Sequence, residues 1–307
     1  MKYYKQSNVN IIECSPDEFS IVLKSEHKKN LKESTYTNAN FFGNFSEKGQ
    51  KFTLPVGHLV CDFDSSSALC KKYCAERGKF NGKKFCFDSG SFKYMNPMYG
   101  KFVSTFVIQN GEAKVLDLSH VSFDYSYAVA GVPVIRNGKD VKFKTYVVGQ
   151  GWDGSTLYAT KHIFLGLKPG NKNIFIMGWK SSKANLIYSG EAYKKFSAMG
   201  FSEVIKLDGG GSYIMNYKGT TVDSTLENRM DNAYIIVKEK TTVNAPTTTT
   251  TYSKPTRVLY KNDKGNDVKW VQEKLKKAGY NLEVDGSFGP ASYWAFQDFC
   301  IKQLGKL

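Results

Sequence analysis

The chain has 307 residues, a formal net charge of +15 and only six cysteines. Its length fits about two domains, its cysteine content excludes a disulfide-rich scaffold, and no stretch is long and apolar enough to span a bilayer. The N-terminus lacks the apolar segment of a signal peptide, so we expect synthesis in the host cytoplasm without Sec export.

The positive charge predicts a polyanionic partner, although a lysine-rich surface also serves solubility alone. The sequence contains no basic helix interleaved with aromatic residues and no nucleic-acid-binding motif. We therefore predict an anionic cell-wall polymer, rather than nucleic acid, as the partner. The oligomeric state does not follow from the sequence.

The first 240 residues are predicted to form a strand-rich α+β domain with a mixed sheet. Short apolar runs between turn residues indicate strands, and serine and glycine at the ends of two segments indicate helices at 65–77 and 189–199. Asn-Gly pairs at 110–111 and 137–138 indicate β-hairpins. The predicted strands lie at 9–24 (two strands), 36–42, 58–63, 84–92, 102–148 (several), 162–167, 173–178, 204–207, 213–215 and 233–237.

Four cysteines crowd together near His58: Cys61, Cys70, Cys74 and Cys86. Cys70 and Cys74 are four residues apart on a predicted helix and therefore share one face. Their spacing matches no standard zinc motif, so buried thiols are favoured over a structural zinc site. No cofactor motif is identified, and the sequence leaves any metal requirement open.

The most distinctive stretch runs from Asp208 through Gly209, Gly210 and Gly211 to Ser212, between two short apolar runs. Glycine allows positive φ angles and lets the backbone approach a ligand closely. A carboxylate, exposed backbone N–H groups and a hydroxyl suit a sugar or a phosphate. The alternative on composition alone is a flexible hairpin turn.

Two asparagines, Asn38 and Asn40, lie two residues apart in the predicted strand 36–42. That spacing places both side chains on one face of a strand. The alternative is that they close a turn before Gly43 and Asn44.

The composition changes abruptly after residue 240. Residues 241–254, which include threonine at every position from 247 to 251, are predicted to be an extended linker. Residues 255–307 are predicted to form a small all-α domain with a second helix beginning at Pro290. The aromatic and apolar residues expected in or near the core of this second helix are Trp294, Ala295, Phe296 and Phe299.

Four segments of the C-terminal region form a specific combination: 265–275, 279–280, 284–289 and 295–299. They resemble the small peptidoglycan-binding domain of many wall hydrolases, which implies peptidoglycan as a ligand. Cys300 departs from the usual glutamine, and no second Asp-Gly turn follows it.

Four segments of the larger domain also form an ordered set: 38–42, 131–139, 207–212 and 227–237. They resemble the phosphodiester glycosidase family, which implies cleavage between the anomeric carbon of a sugar and a phosphodiester oxygen. Lys161 and His162 stand where that family usually has Arg-Thr. Lysine keeps the positive charge but loses the bidentate fork of arginine.

The resemblance implies roles for the residues of the site. Asp208 is expected to stabilise or attack an oxocarbenium-like transition state, while Arg229 and Lys161 hold the phosphate. The substrate-binding residues implied are Asn38 and Asn40, the backbone N–H groups of Gly209, Gly210 and Gly211, the Ser212 hydroxyl, and His162, which is either a proton shuttle or a packed strand residue. The candidates for a second carboxylate are Asp62, Asp64 and Glu227.

Together the resemblances predict a phage-type cell-wall lysin, delivered through a holin or within a virion, with an anchoring domain that raises its concentration on the wall. The expected substrate is a glycosyl phosphodiester of teichoic-acid type or an amino-sugar glycosidic bond of peptidoglycan. The alternative is a non-catalytic wall-binding or virion protein on a degenerate glycosidase scaffold. Lys161 favours this alternative, and the intact glycine stretch favours the enzyme.

Overall fold

The computed structural model describes residues 1–89, 104–141, 161–180, 190–239, 252, 254–280 and 282–304. The chain divides into two compact units, Met1–Lys240 and Thr241–Leu307. The first unit is strand-rich with a mixed, curled sheet and the second is helical, so the predicted α+β class is confirmed. Within these ranges, no helix has both the length and the apolar character needed to cross a membrane.

The first unit contains nineteen strands, two α-helices and two short 3-10 helices in its described residues. The helices are α1 (Ala68–Arg77), α2 (Glu191–Ala198) and the 3-10 turns Lys28–Asn30 and Gly210–Ser212. The strands are β1 (Lys2–Gln6), β2 (Val9–Cys14), β3 (Phe19–His27), β4 (Tyr36–Asn38), β5 (Phe42–Glu47), β6 (Gln50–Pro55), β7 (Leu59–Phe63), β8 (Lys79–Asn81), β9 (Lys84–Phe87), β10 (Ser104–Gln109), β11 (Glu112–Leu116), β12 (Tyr127–Arg136), β13 (Lys139–Asp140), β14 (Lys161–Leu167), β15 (Ile174–Lys180), β16 (Glu203–Gly209), β17 (Ile214–Tyr217), β18 (Thr220–Ser224) and β19 (Met230–Val237).

The long strand β12 joins the two halves of the sheet. Its first half pairs with β10 and β7, and its second half pairs with β16 and β13. One half continues in the order β16–β14–β15–β2–β1, and the other in the order β7–β3–β19–β4–β17–β18. Among the described strands only β3 and β7 run parallel, and β5 and β6 form a separate hairpin. A sheet that shares one strand in this way curls and brings distant strand ends together.

Four buried apolar clusters line this sheet in the described residues, and two of them pack against the strands that lead to the glycine stretch. The larger takes side chains from β2, β3, β10, β17 and β19. The smaller lies under α2, where the Phe196 ring packs against Phe164 and Trp179 at centroid distances of 4.8 and 5.9 Å. Complete burial of one such aromatic side chain contributes about 2 kcal/mol. The clusters therefore fix β14, β15 and β16, the strands that lead to the glycine stretch.

Several predicted elements are confirmed, with shifted ends. The hairpins β10–β11 and β12–β13 turn at the predicted Asn-Gly pairs. Helix α1 begins at Ala68 because Ser67, rather than Ser65, caps it: the Ser67 hydroxyl accepts a 3.2 Å hydrogen bond from the Cys70 N–H. The predicted segments at 90–92, 102–103, 142–148 and 189, and most of the predicted linker 241–254, lie outside the described residues.

The prediction of one continuous strand over 36–42 is wrong. Strand β4 ends at Asn38 and β5 begins at Phe42, so Asn40 lies in the segment between two strands. The chain leaves β4 here because the Ala39 carbonyl accepts a hydrogen bond from the Asp208 N–H at 3.2 Å. This hydrogen bond connects the segment after β4 to the end of β16.

The second unit contains α3 (Asn266–Lys277) and α4 (Pro290–Leu304). Val268, Val271 and Leu275 of α3 form its core, with Ala295 and Phe299 of α4 packed against them. The expectation that Trp294 and Phe296 are core residues is wrong, since they are 67% and 41% exposed. Ser292, Ala295 and Phe299 recur at helical spacing on the covered face of α4, and Trp294 and Phe296 lie off that face.

Candidate active site

The glycine stretch lies at the end of β16, which runs between β12 and β14. Both neighbours pair with it, so the strand is buried until it reaches Asp208, which is half-buried. Gly209 pairs with His162 of β14, after which the chain turns through the 3-10 helix Gly210–Ser212. The predicted strand, acid and turn are therefore present in the predicted order.

The side chain of Asn38 fixes both ends of this turn. Its amide nitrogen donates to the Asp208 carbonyl at 2.9 Å, and its amide oxygen accepts from the Ile214 N–H at 3.2 Å. Asn38 is buried, so both polar groups are used by the main chain. Its predicted contact with sugar hydroxyls stays a prediction, and its visible contacts position the Asp208 backbone.

At two glycines of the stretch, other atoms occupy the space that a side chain would take: a fixed backbone atom at Gly209 and the end of a movable side chain at Gly211. A Cβ at Gly209 would overlap the backbone carbonyl oxygen of Lys161. A Cβ at Gly211 would overlap a carboxylate oxygen of Glu227 and would lie 3.2 Å from a guanidinium nitrogen of Arg229. The stretch is therefore a fixed close approach of three chain segments and differs from a flexible turn.

Lys28 holds the far side of the glycine stretch and was missed by the sequence reasoning. Its ammonium donates to the Gly211 carbonyl at 2.6 Å, to the Tyr213 carbonyl at 3.3 Å, and to the Thr225 hydroxyl. Lys28 is completely buried, which lowers its pKa, while the negative charges of Asp231 and Glu227 oppose that shift. No local pattern marks this lysine, because its partners lie almost two hundred residues away in the chain.

A second carboxyl group, Asp231 near the start of β19, lies beside Asp208. Burial raises the pKa of Asp231 to about 8, and the negative charge of Asp208 is the next largest cause. Burial also raises the pKa of Asp208, against the opposing effects of Ser212, Lys206 and the Gly209 N–H. The Ser212 hydroxyl lowers both pKa values, although it makes no hydrogen bond within ordinary distance in the described structure. Asp231 was also missed, and its signal was an acid two residues before the apolar run of a buried strand.

Three cations, Lys28, Lys206 and Arg229, act on one or both of these carboxyl groups. Lys206 is buried, with its ammonium 4.7 Å from the centre of the Phe41 ring, and its pKa falls to about 8 because it is desolvated. Arg229 favours the ionised form of both carboxyl groups, and its guanidinium lies 5.7 Å from the Phe42 ring. The charge of Lys161 acts on Lys28. This arrangement suits an anionic substrate group at the half-buried carboxyl, Asp208.

The residues predicted for the site fall into two groups by exposure. The half-buried group, which a ligand can reach, is Asp208, Gly210, Gly211, Lys161 and Arg229. The buried group is Asn38, Asn40, Gly209, Ser212 and His162. His162 has no exposed surface, and its ring lies 5.8 Å from that of Phe164. We therefore treat it as a packed strand residue and leave it out of the substrate contacts proposed below.

Asn40 differs from Asn38 because its amide oxygen makes no hydrogen bond to the main chain in the described residues. Its amide nitrogen donates to the Phe41 carbonyl and to the Asn232 side chain at 2.9 and 3.0 Å. Its amide oxygen has no hydrogen-bond partner among the described residues. The sugar contact predicted for Asn40 stays a prediction that this oxygen supports.

Of the three candidates for a second carboxylate, one reaches the glycine stretch. Glu227 lies against Gly211. Asp62 accepts a hydrogen bond from Tyr127 at 2.9 Å and forms an ion pair with Lys84, and Asp64 is an exposed carboxylate. The contacts of Asp62 and Asp64 are therefore those of partly exposed structural ion pairs.

A cleft of about 420 Å³ opens beside this site. Arg229 and Glu227 form one wall, and the β5–β6 hairpin supplies Phe45 on the other. The Phe45 ring is 38% exposed and stacks on Phe52 at a centroid distance of 5.7 Å. The Arg77 guanidinium also lies over the Phe45 ring, 5.1 Å from its centre. The remaining lining residues are His27, Asn44, Ser46, Lys51, Asn228 and Met230.

The cysteine cluster is separate from these contacts. Cys61, Cys70, Cys74 and Cys86 are buried free thiols, and the sulfur atoms of Cys70 and Cys74 are 3.9 Å apart on one face of α1. Among the residues that the structure describes, no group of three or more His, Cys, Asp or Glu side chains is placed to hold a metal ion.

Comparison with known sequences identifies the helical unit. Residues 264–299 match the family described as "Putative peptidoglycan binding domain". The match supports a peptidoglycan-binding domain here and action at the cell wall. No curated protein matches the chain in sequence.

Comparison with solved structures concerns the larger unit. The catalytic domain of zebrafish N-acetylglucosamine-1-phosphodiester alpha-N-acetylglucosaminidase, auto-inhibited by its pro-peptide, is similar with a TM-score of 0.50 and 13% identity, over 78% of this chain and 81% of that chain. The larger unit thus has a glycosidase-like fold. A hypothetical protein from Synechocystis is similar with a TM-score of 0.42 and 15% identity, over 77% of this chain and 61% of that chain.

Proposed function

We propose that the protein is a cell-wall-targeted glycosidase that hydrolyses a sugar-1-phosphodiester or an amino-sugar glycosidic bond in a wall polymer. The observation that carries the proposal is the position of Asp208, a half-buried carboxyl on which Lys206 and Arg229 act, at the start of a turn that Lys28 binds at Gly211. The glycosidase-like fold and the peptidoglycan-binding domain support it.

The chemistry follows from the charges around Asp208. As the bond from the anomeric carbon to oxygen breaks, positive charge develops on the sugar, and the Asp208 carboxylate stabilises or attacks that carbon. Negative charge develops on the departing phosphate, where Arg229 and Lys161 are the half-buried cations available to it. The cleft beside Arg229 accommodates the adjoining part of the polymer.

Release of products from purified walls tests this reaction. We expect the wild-type chain to release reducing sugar and phosphomonoester, and Asp208→Asn to lose at least about 100-fold of that rate. The matched control is Asp124→Asn, which neutralises an exposed aspartate whose carboxylate accepts a hydrogen bond from nearby Ser122 and is expected to keep full activity. Equal release by wild type and Asp208→Asn contradicts the assignment. Reducing ends without phosphomonoester would assign the glycan bond.

Binding of the protein to cell walls through the helical unit is tested separately. Gln272 is buried in the helical unit and bonds to Asp285, the Ser287 carbonyl, Ser292 and the Gly286 N–H at 2.7–3.0 Å. We expect the full chain to pellet with walls and Gln272→Ala to remain mostly in the supernatant, because its buried partners lose their bonds. Asn266→Ala, at an exposed position of α3, is the control. Pelleting by Gln272→Ala equal to that by wild type contradicts anchoring through this unit.

We propose that the biological role of the protein is that of a phage lysin. A glycosidase-like unit and a wall-binding unit in one chain are what such a lysin needs, since binding raises the local concentration of the enzyme on its substrate. We expect added protein to lower the turbidity of susceptible cells and Asp208→Asn to leave it unchanged. A chain that pellets with walls and releases nothing supports the alternative, a non-catalytic wall-binding protein, which the lysine at position 161 favours.

A further inference from the structure

Asp231 is a buried carboxyl group to which the proposed reaction assigns no role. Its side chain is 1% exposed, and neither of its oxygen atoms has a hydrogen-bond partner among the described residues. An ionised carboxylate in that position lacks the bonds that normally offset the loss of hydration. These surroundings favour the protonated, neutral form of the Asp231 carboxyl group.

The pairing of β19 with β3 is irregular beside Asp231. β19 advances two residues, from Asp231 to Ala233, while β3 advances three, from Glu26 to Leu23, so the extra residue lies in β3. Bulges of this kind redirect side chains and occur often beside active sites. Asn232, within the shift, bonds to Asn40 and Thr53, whereas Asp231 interacts with groups of the glycine stretch.

The charged and polar groups that act on Asp231 come from several elements. Asp208 of β16 is the negative neighbour, Lys28 and Arg229 are the positive ones, and Ser212 is a hydroxyl that interacts with both acids. Tyr234 of β19 also interacts with Asp231. Ser212 is itself buried and has no hydrogen-bond partner of ordinary length in the described structure, so its hydroxyl is free to bridge the two carboxyl groups.

We propose that Asp231 is a positioning residue that holds one proton behind Asp208, so that the carboxyl pair carries a single negative charge at neutral pH. This inference rests on the proposed function, in which Asp208 must be ionised next to an anionic substrate group. Asp231 makes no bond to the substrate. It provides a neutral O–H that can donate towards Ser212 and Asp208, where a second carboxylate would repel the phosphate and raise the proton affinity of Asp208.

The electrostatics of the pair agree with this division of charge. The charge of Asp208 is among the causes that raise the pKa of Asp231, to about 8, so Asp208 ionises first. Loss of the second proton above about pH 8 adds a negative charge and is expected to lower activity. Lys206, next to Asp208, loses its proton over the same range, so the test must separate the two groups.

The pH dependence of kcat/KM on purified walls separates them, with Asp231→Asn as a neutral replacement of the same shape. We expect the ratio of the activity near pH 9 to that near pH 7 to be at least threefold greater for Asp231→Asn than for wild type. An alkaline decline that is identical in the two proteins assigns it to Lys206 and overturns the proposal.

A second measurement does not depend on activity. In protein labelled with carbon-13 at the aspartate carboxyl groups, we expect one resonance to titrate near pH 8 in wild type, to be absent from Asp231→Asn, and to titrate at lower pH in Asp208→Asn. Absence of any aspartate that titrates above about pH 6 overturns the proposal. A chain with this titration and no wall activity contradicts the proposed function and leaves the proton-holding pair in place.

Discussion

The side-chain amide of Asn38 donates a 2.9 Å hydrogen bond to the backbone carbonyl of Asp208 while its oxygen accepts from the Ile214 N–H at 3.2 Å. One buried side chain thus fixes the distance across the glycine stretch. Because both bonds go to the main chain, the orientation of the Asp208 carboxyl depends on a residue 170 positions earlier in the sequence.

Asn38→Ala is therefore expected to lower kcat more than it raises KM. It leaves a buried carbonyl and a buried N–H without partners, which costs about 1–3 kcal/mol of unfolding free energy. Urea unfolding and wall-release kinetics measure the two effects. Asn81→Ala, at an exposed position of β8, is the control and is expected to change neither. A rise in KM alone indicates that Asn38 contacts the substrate directly.

The two glycines that flank Gly210 are expected to respond differently to alanine. At Gly209 the new Cβ meets a backbone carbonyl, that of Lys161, which is fixed by the β14–β16 pairing. At Gly211 it meets the end of the exposed Glu227 side chain, which can move. We expect Gly209→Ala to lose roughly 2–4 kcal/mol and Gly211→Ala less than about 1 kcal/mol, measured by urea unfolding. Equal losses contradict this account.

Lys161→Arg is expected to improve the use of a phosphodiester substrate. Arginine presents a planar fork that binds two phosphate oxygens, whereas lysine presents a point charge. We expect KM to fall about three- to tenfold with kcat within twofold. Lys139→Arg, an exposed lysine on β13, is the control. An unchanged KM places the phosphate away from residue 161, or the cleaved bond in a glycan without phosphate.

Asp231 is expected to make the fold less stable as the pH rises. The unfolded chain releases this proton near its ordinary pKa of 3.8, and the folded chain holds it to about pH 8. The free energy of unfolding is therefore highest below about pH 4. It falls by roughly 1.4 kcal/mol per pH unit between about pH 4 and about pH 8, and it is constant above about pH 8.

Asp231→Asn removes this dependence. At pH 7 the variant is expected to be more stable than wild type by up to about 4 kcal/mol, with little difference near pH 4. Chemical unfolding at several pH values measures both, and Asp124→Asn is expected to behave as wild type. A difference between Asp231→Asn and wild type that does not change with pH contradicts a neutral Asp231.

The sequence by itself determined the elements and their local chemistry. Apolar spacing predicted the strands, and Asn-Gly pairs predicted two hairpins. The structure also has the predicted order of a strand followed by Asp208, three glycines and Ser212. These features depend on neighbours within a few residues, which a sequence displays directly. The helical wall-binding region was also readable, because its spacing of apolar and Asp-Gly positions is contained in about fifty residues.

Only the tertiary structure decided which side chains meet at Asp208. Lys28, Asp231 and Arg229 reach the site because β19 pairs with β3 and β4, and because the Asp208 N–H at the end of β16 bonds to the Ala39 carbonyl just after β4. Their importance comes from burial, which raises the energy of an unpaired charge and so shifts pKa values. Burial is a property of the assembled sheet. For this reason the sequence offered Asp62 and Asp64 as candidates for a second carboxylate and did not offer Asp231, at the start of β19.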